Sequence, residues 1–409
     1  MKKTTLLFTI LPAVVLASAY KLPEQSFEGT ALSAANVASC EGADCAYYNS
    51  ANISFLEPSK SYLEAGLTFI HLPSIEFTGQ QILQGNAVIA DAKSKIENVA
   101  LPYFHYVSPA FDNLRYSLSI TVPGGLRKRW DTPVQKLYAQ EFELKTVSLT
   151  PSVAYKINKN FSLSVGANIT YSEGTVKNDG TLLGLPIKRE MKGDSIDYSF
   201  NLAASAHLDN GIKLSTVYKS KTKLTEEGEA NLYLGSVGKQ YDAKVDIYLP
   251  ATFTFAIAKE FDKLNIEFVY ERTFWSDYKE LKFNYSPAVT NAVLAAAFDT
   301  PKEKNWRDTN TFRVGVKYKY NDKLTLLAGY SYDQTPIKDK YLSYELPDAN
   351  AHIFSAGFSY QYDKKLTFGA GILYDYKKER EISNNINGIR GEFSKGGAIL
   401  ATTGVVYKF

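Results

Sequence analysis

Cys40 and Cys45 stand five positions apart in a chain of 409 residues, and no other cysteine is present. In an oxidising compartment that spacing closes a small disulfide loop. A metal site is the alternative, but His71, His105, His207 and His352 are scattered along the chain, so neither a metal nor a cofactor is assigned. Hydrolytic chemistry needs a nucleophile beside a base, or paired acids. No G-x-S-x-G or H-E-x-x-H motif occurs, and the sequence predicts no enzyme.

What remains is binding chemistry. Leu182, Leu183, Leu185 and Ile187 form one apolar cluster in a connection, and Leu232, Tyr233, Leu234 and Val237 form another. Exposed clusters of this kind mark a site for an apolar ligand, or else the two pack on each other as a cap. Each methylene buried there would contribute about 0.8 kcal/mol. Lys188 and Arg189 flank the first cluster, either to attract a carboxylate or as solvated charges. Pro123-Gly124-Gly125 is a third feature. Proline cannot donate to a ladder and glycine packs nothing, so a strand either kinks there or ends at Val122.

The elements that position these residues are strands. Lys2, Lys3, the apolar run from Leu6 to Leu16 and Ala17-Ser18-Ala19 read as a signal peptide over 1–19. Without its two lysines the chain carries 44 basic and 43 acidic side chains, a net +1, which excludes an electrostatic footprint for nucleic acid. No later apolar run approaches the ~20 residues of a spanning helix. Tyrosine (29) and phenylalanine (23) far outnumber methionine (2), a strand-forming bias. Phe312, Val314, Val316, Tyr318 and Tyr320 alternate with Thr311, Arg313, Gly315, Lys317 and Lys319, and 264–271 and 324–333 behave alike.

Alternation leaves open which face is inside. Connection lengths decide it. Tight turns at 158–160, 209–211, 262–263, 321–323 and 363–365 alternate with long connections near 178–193, 229–240, 286–305, 336–350 and 383–392. Outer-membrane barrels have that asymmetry. The predicted spans are 62–72, 97–107, 114–127, 141–157, 161–177, 194–208, 212–228, 240–259, 263–283, 306–320, 324–335, 351–362, 366–382 and 393–409. The expected fold is all-β: a fourteen-stranded antiparallel transmembrane barrel over 61–409, multi-pass in the outer membrane of a Gram-negative bacterium. Residues 20–60 break the pattern. The cysteine loop with Leu22, Phe27 and Leu32 favours a compact lumen plug over a periplasmic tail.

Four segments resemble the FadL-type long-chain fatty-acid and hydrophobic-compound transporter family across essentially the whole mature chain. Asn305-Trp306-Arg307-Asp308-Thr309 resembles its N-W-[KR]-D-T segment. Gly329-Tyr330-Ser331-Tyr332-Asp333-Gln334-Thr335-Pro336 and Leu346-Pro347-Asp348 resemble the next two. Pro102-Tyr103-Phe104-His105-Tyr106-Val107-Ser108-Pro109 is similar to its second strand. The resemblance implies an N-terminal hatch whose N-P-A element corresponds to Asn49, Ser50 and Ala51, with serine in place of proline. It implies a kinked third strand, which makes Pro123, Gly124 and Gly125 a lateral gate, and a capture groove at the two apolar clusters. It also implies an inner ligand pocket lined by Tyr20 and Leu22, with Lys21 available to an acid headgroup. The family's buried basic residue has no counterpart, since Glu173 follows Tyr171-Ser172.

The expected partners are hydrophobic small molecules (fatty acids or aromatic hydrocarbons), outer-membrane lipid, and the barrel assembly machinery, for which the terminal Phe409 resembles a recognition signal. The chain is expected to be a monomer. An adhesin or a general diffusion porin are the rival readings.

Overall fold

The computed structural model describes residues 19–409; the predicted signal segment, apart from Ala19, lies outside the described residues. Fourteen staves pair with their chain neighbours in antiparallel register. They are β1 Tyr62–Leu72, β2 Glu97–Phe111, β3 Leu114–Thr121 continued by Gly125–Arg129, β4 Glu141–Lys156 and β5 Phe161–Asp179. Next come β6 Ile187–His207, β7 Ile212–Lys219 continued by Thr222–Leu234, β8 Val237–Leu249 continued by Ala251–Glu260, and β9 Leu264–Phe274. β10 Thr309–Lys319, β11 Leu324–Asp333, β12 Ala351–Gln361, β13 Leu366–Lys377 and β14 Gly397–Lys408 complete the set. β14 pairs back onto β1, from Tyr62 opposite Lys408 to His71 opposite Ile399. The ring is closed, so no wall edge is left to hydrocarbon.

The two faces are inverted relative to a soluble protein. Phe312 and Val314 are about 40% exposed while Thr311 and Arg313 between them are buried. On β9, Phe268 is exposed and Glu267 buried. Lipid is the solvent for the outer row, and polar side chains line the lumen. At the short-turn end Asn158, Asn321 and Asp363 each accept two main-chain N–H groups with a side-chain oxygen, as Asx turns do.

The long-connection end departs from the predicted spans in three ways. The connections placed at 178–193 and 229–240 are largely strand: Ile187 to Asp194 pairs with Leu234 to Glu227, and the β7–β8 hairpin turns at Gly235-Ser236. Strands predicted to reach 283 and 382 stop at Phe274 and Lys377, and the one predicted to begin at 393 begins at Gly397, because the remaining residues join other structure. Phe283–Ser286 pairs with β8. Arg380–Ile382 and Ile389–Ser394 join Glu76–Leu83, Asn86–Ile89 and Ala92–Lys93 in a separate five-stranded sheet. Single-strand alternation continues through such excursions, so it does not reveal where a strand leaves the wall.

Residues 20–56 fill the lumen with two short helices, Phe27–Ala31 and Cys45–Tyr48, and a 3-10 turn, Ser50–Phe55. Leu22, Phe27 and Leu32 are all buried, and Cys40 and Cys45 form a disulfide with Cα atoms 5.5 Å apart. The wall holds this hatch mainly through hydroxyls and charges. Ser50 Oγ meets Ser164 Oγ at 2.7 Å, Thr30 Oγ1 meets Thr402 Oγ1 at 2.7 Å, and Lys317 reaches Glu28 at 2.6 Å. The tightest hold is Glu267, whose carboxylate accepts the N–H groups of Val37, Ala38 and Ser39 at 2.7, 2.8 and 2.9 Å, together with the Ser39 hydroxyl.

Removing that carboxylate strands four donors, each worth on the order of 1 kcal/mol or more when left unmatched. Glu267→Ala is therefore expected to free the 37–45 loop. Limited proteolysis in detergent should cut it at least tenfold faster than in the unaltered protein, with the barrel itself left uncut. An unchanged cleavage rate would show that the hatch does not depend on this clamp.

Candidate functional site

One interruption of the wall lies in β3. β3 stops at Thr121 and resumes at Gly125, and across this break β4 advances only from Ser148 to Lys145, so β3 carries one extra residue. Beyond the break, Gly125–Arg129 pairs with β4 but not with β2. β2 pairs with β3 only over Phe104–Phe111, leaving Glu97–Tyr103 with β1 alone. The gap closes again above, where Lys95 N–H donates to Arg129 O and Arg129 grips Glu97 in two 2.7 Å bonds. Pro123 has no N–H to offer a ladder at the break.

The main-chain groups freed by the break are satisfied by the hatch. Leu22 N–H donates to Pro123 O at 3.0 Å, and Gly125 N–H donates to Tyr20 O at 2.8 Å. Gln25 supplies a side-chain amide as a substitute strand: its Nε2 donates to Val122 O at 2.8 Å and its Oε1 accepts from Val122 N–H at 2.9 Å. Gly124 makes the close approach possible, since a Cβ there would sit 2.7 Å from Tyr20 O and 2.9 Å from Leu249.

Three consecutive residues of this segment enter three different surroundings. Tyr20 points up into an apolar throat, edge-on to Trp275 (5.0 Å) and near Trp306 (5.8 Å). Lys21 points down and is ion-paired with Glu271, with Thr273 at 3.0 Å. Leu22 packs at the gap with Val99, Leu101 and Val122. The resemblance implied that Tyr20 and Leu22 line one pocket with Lys21 free for an acid headgroup. In the structure Tyr20 and Leu22 part company, and Glu271 already occupies Lys21.

Above the break lie two adjoining, tightly packed apolar cavities of about 20 and 10 Å³, which share Phe142, Ile247 and Leu281. The first is walled by Tyr20, Leu126, Tyr278 and Trp306, with Lys304 and Glu345 at its rim as an ion pair. Burial alone would raise the Glu345 carboxyl, but Lys304 and Lys302 outweigh it and hold it at about 2. The second runs under a row of small residues in register across the wall, Gly174, Gly193, Gly228 and Ala243. The Gly228–Gly193 approach is tight: a Cβ at 228 would stand 2.6 Å from the Gly193 Cα.

Below the break the character reverses. A cavity of about 130 Å³ is lined by Ser148, Thr150, Thr170, Asn201, Thr222 and Thr254, with Lys21, Lys219, Glu271 and Arg313. Burial pushes the Glu24 carboxyl of the hatch up to about 7 against the pull of Arg313.

At the outer end the two predicted clusters meet, though not as free loops. Ile187 and Leu232 are buried with Tyr241, Leu294 and Phe298, and Leu185 and Leu234 pack against them. Leu183 is half-buried against the throat core, and Tyr233 lies under Lys188. Leu182 and Val237 alone of the eight are largely exposed, at 58% and 73%. Arg189 is buried, bonded to Asn178 and Tyr285 and 4.1 Å over Phe283, and Lys188 pairs with Glu190, so neither is a solvated loop charge awaiting a carboxylate. Glu173 pairs with Lys145 and Lys192. Asn49 Nδ2 donates to Ser205 and Val37, and Ala51 O accepts from Ser162, so the Asn49-Ser50-Ala51 element ties the hatch to β5 and β6. Residue types alone did not single out Phe142, Ile247, Trp275 or Tyr278. Trp306, within the tryptophan motif, and Tyr20, named through the resemblance, were the throat residues within reach of sequence reading.

A family model described as outer membrane protein transport protein (OMPP1/FadL/TodX) matches residues 8–409. The chain is 23% identical over 324 residues to a long-chain fatty acid transport protein of Escherichia coli, covering 69% of this chain and 70% of the relative. Its fold is similar to a Pseudomonas aeruginosa FadL homologue, with a TM-score of 0.81 and 21% identity over 95% of this chain and 99% of the other. It is also similar to the Pseudomonas putida toluene transporter TodX, with a TM-score of 0.70 and 16% identity over 96% and 100%.

Gly124→Val should push the Tyr20–Leu22 segment off the break, since valine adds atoms where a single Cβ already collides. Hydrogen exchange at the Leu22 and Gly125 amides is expected to quicken at least tenfold. Unaltered protection at both amides would show that the segment does not rely on the glycine.

Proposed function

The chain belongs to the OMPP1/FadL/TodX family of outer-membrane transport proteins, and on that premise we propose that it takes up hydrophobic small molecules by a lateral route through the break in β3. Membership places it in the Gram-negative outer membrane as a transporter of hydrophobic compounds. The relatives named above are called transporters of long-chain fatty acids and of toluene, and the ligand of this chain is drawn from that range.

The observation that carries the reading is the reversal of the lumen at the break. An apolar solute that reaches Tyr20 and Leu126 is dry on every side. Moving on into the hydroxyl-lined cavity below would forfeit its burial, about 1.5–3 kcal/mol for something the size of a phenylalanine side chain. Passing between β2 and Gly125–Arg129 brings it to lipid without re-entering water. In this reading capture occurs at the outer rim formed by Leu182, Leu183, Leu185, Ile187, Leu232, Tyr233, Leu234 and Val237. Tyr20 contacts the solute in the throat, and Leu22 withdraws from the gap flanked by Pro123, Gly124 and Gly125.

Leu126→Arg places a cation in the throat beside the break. Uptake of a labelled apolar solute by cells carrying the variant should fall at least tenfold at equal surface abundance, while Leu126→Ala keeps most of it. Equal uptake by the arginine variant would remove the throat from the route. The Leu182→Ser/Val237→Ser pair is expected to raise the half-saturating solute concentration about tenfold with the maximal rate retained; loss of cell adherence without any change in uptake would favour an adhesin instead. Liposomes holding the unaltered protein should not swell in sugar solutions, and rapid swelling would mark a diffusion porin.

A further inference from the structure

The upper throat cavity holds one group that the transport route does not explain. Glu226 on β7 is 1% exposed and lines the smaller, tightly packed apolar cavity among Phe142, Val176, Met191 and Phe283. Neither of its carboxylate oxygens has a hydrogen-bond partner, and it takes part in none of the ion pairs among the described residues.

Its polar neighbours are Ser172 and the Gly174 main chain, and proton accounting removes the serine. Ser195 Oγ donates its only proton to Asp197 at 2.6 Å. The 2.8 Å contact between Ser172 and Ser195 must then carry the Ser172 proton toward Ser195. Nothing is left over for Glu226.

The cations nearby are committed elsewhere. Lys145 holds Glu173 and Glu143, Lys304 holds Glu345, and Arg189 is bonded to Asn178 and Tyr285. Lys302 lies 6.0 Å over the Tyr138 ring and faces Glu345. A buried acceptor in an apolar cavity is costly until a donor reaches it, and the Gly174 main chain, already part of the wall ladder, stands beside the carboxylate without a well-formed hydrogen bond to it.

We propose that the throat recognises an apolar molecule bearing a hydrogen-bond donor, a hydroxyl or an amine, which is held against Glu226, and that it disfavours carboxylates. This deepens the transport reading and rests on it. A fatty-acid anion would bring a second negative group beside an unpaired buried one, whereas an alcohol or an ammonium supplies the missing donor.

The test is ligand binding to the full chain in lipid nanodiscs, followed by quenching of the three tryptophans. The matched probes are 4-butylbenzyl alcohol, 4-butylbenzylamine, 4-butylbenzoate and butylbenzene. The alcohol and the amine should bind at least fivefold more tightly than the benzoate. Glu226→Ala should bring all three within twofold while leaving butylbenzene unchanged. Glu226→Gln, which preserves shape and an acceptor, should keep the alcohol within twofold and lose the preference for the amine. Benzoate binding as tightly as the alcohol, or a donor preference that survives in Glu226→Ala, overturns the assignment. If butylbenzene itself fails to bind, the throat reading falls and takes this inference with it; butylbenzene binding without headgroup preference overturns only the inference.

Discussion

A barrel wall in lipid tolerates an interruption only if every main-chain N–H and C=O at the break finds a partner. The wall breaks at Val122–Gly125, and its partners come from the hatch: Gln25 for Val122, Leu22 for Pro123, Tyr20 for Gly125. Much of the remaining architecture serves that requirement. The hatch must be immobile enough to present these groups, and Glu267, Ser164, Ser205, Thr402 and Lys317 hold it from five different staves. Four wall groups depend on one short segment, so the same contacts that keep the wall sealed are the ones that must be broken to open it.

The lumen is divided by polarity rather than by a constriction. Above the segment the walls are Leu126, Phe142, Ile247 and Leu281; below it they are serine, threonine and charged side chains. Because β-strand side chains alternate, the two rows of a single stave can change character independently of one another. On β5 the lumen row passes from Ser162, Ser164, Thr170 and Ser172 to Val176 while the outer row passes from Phe161, Leu163 and Val165 to Glu173, Thr175 and Lys177. At the throat the wall is thus apolar inside and charged outside, with Lys192, Glu227 and Lys244 on the outer row of the neighbouring staves.

The fold was legible in the sequence because period-two alternation and the short-long order of connections are local signals that lipid does not erase. The stave count follows, and most boundaries agree within a few residues. The outer ends were not legible. Ile187 to Asp194 and Glu227 to Leu234 carry strand residues among loop-like apolar ones, and only their mutual register shows them to be a ladder. The 76–93 hairpin and its partners at 380–394 join the β1–β2 and β13–β14 connections, a contact between segments separated by 306 residues at Gln81–Asn387 that no window along the chain contains. At the site, Pro123-Gly124-Gly125 announced a break by type alone. The throat residues did not, since Phe142 or Ile247 facing inward looks like any strand residue until parity and height are known together. Arg189 likewise read as a surface charge, because nothing local foretells the Phe283 ring beneath it.

The alternation of Tyr20, Lys21 and Leu22 among three surroundings also constrains how the segment can move. Sliding it by one position along the break would drive an ammonium into the dry throat and a leucine into the hydroxyl-lined cavity, and would misplace every side chain at once. Translation in small steps is therefore barred. The segment can only peel away and re-zip in its original frame, which makes opening an all-or-none event whose unit is the whole tripeptide.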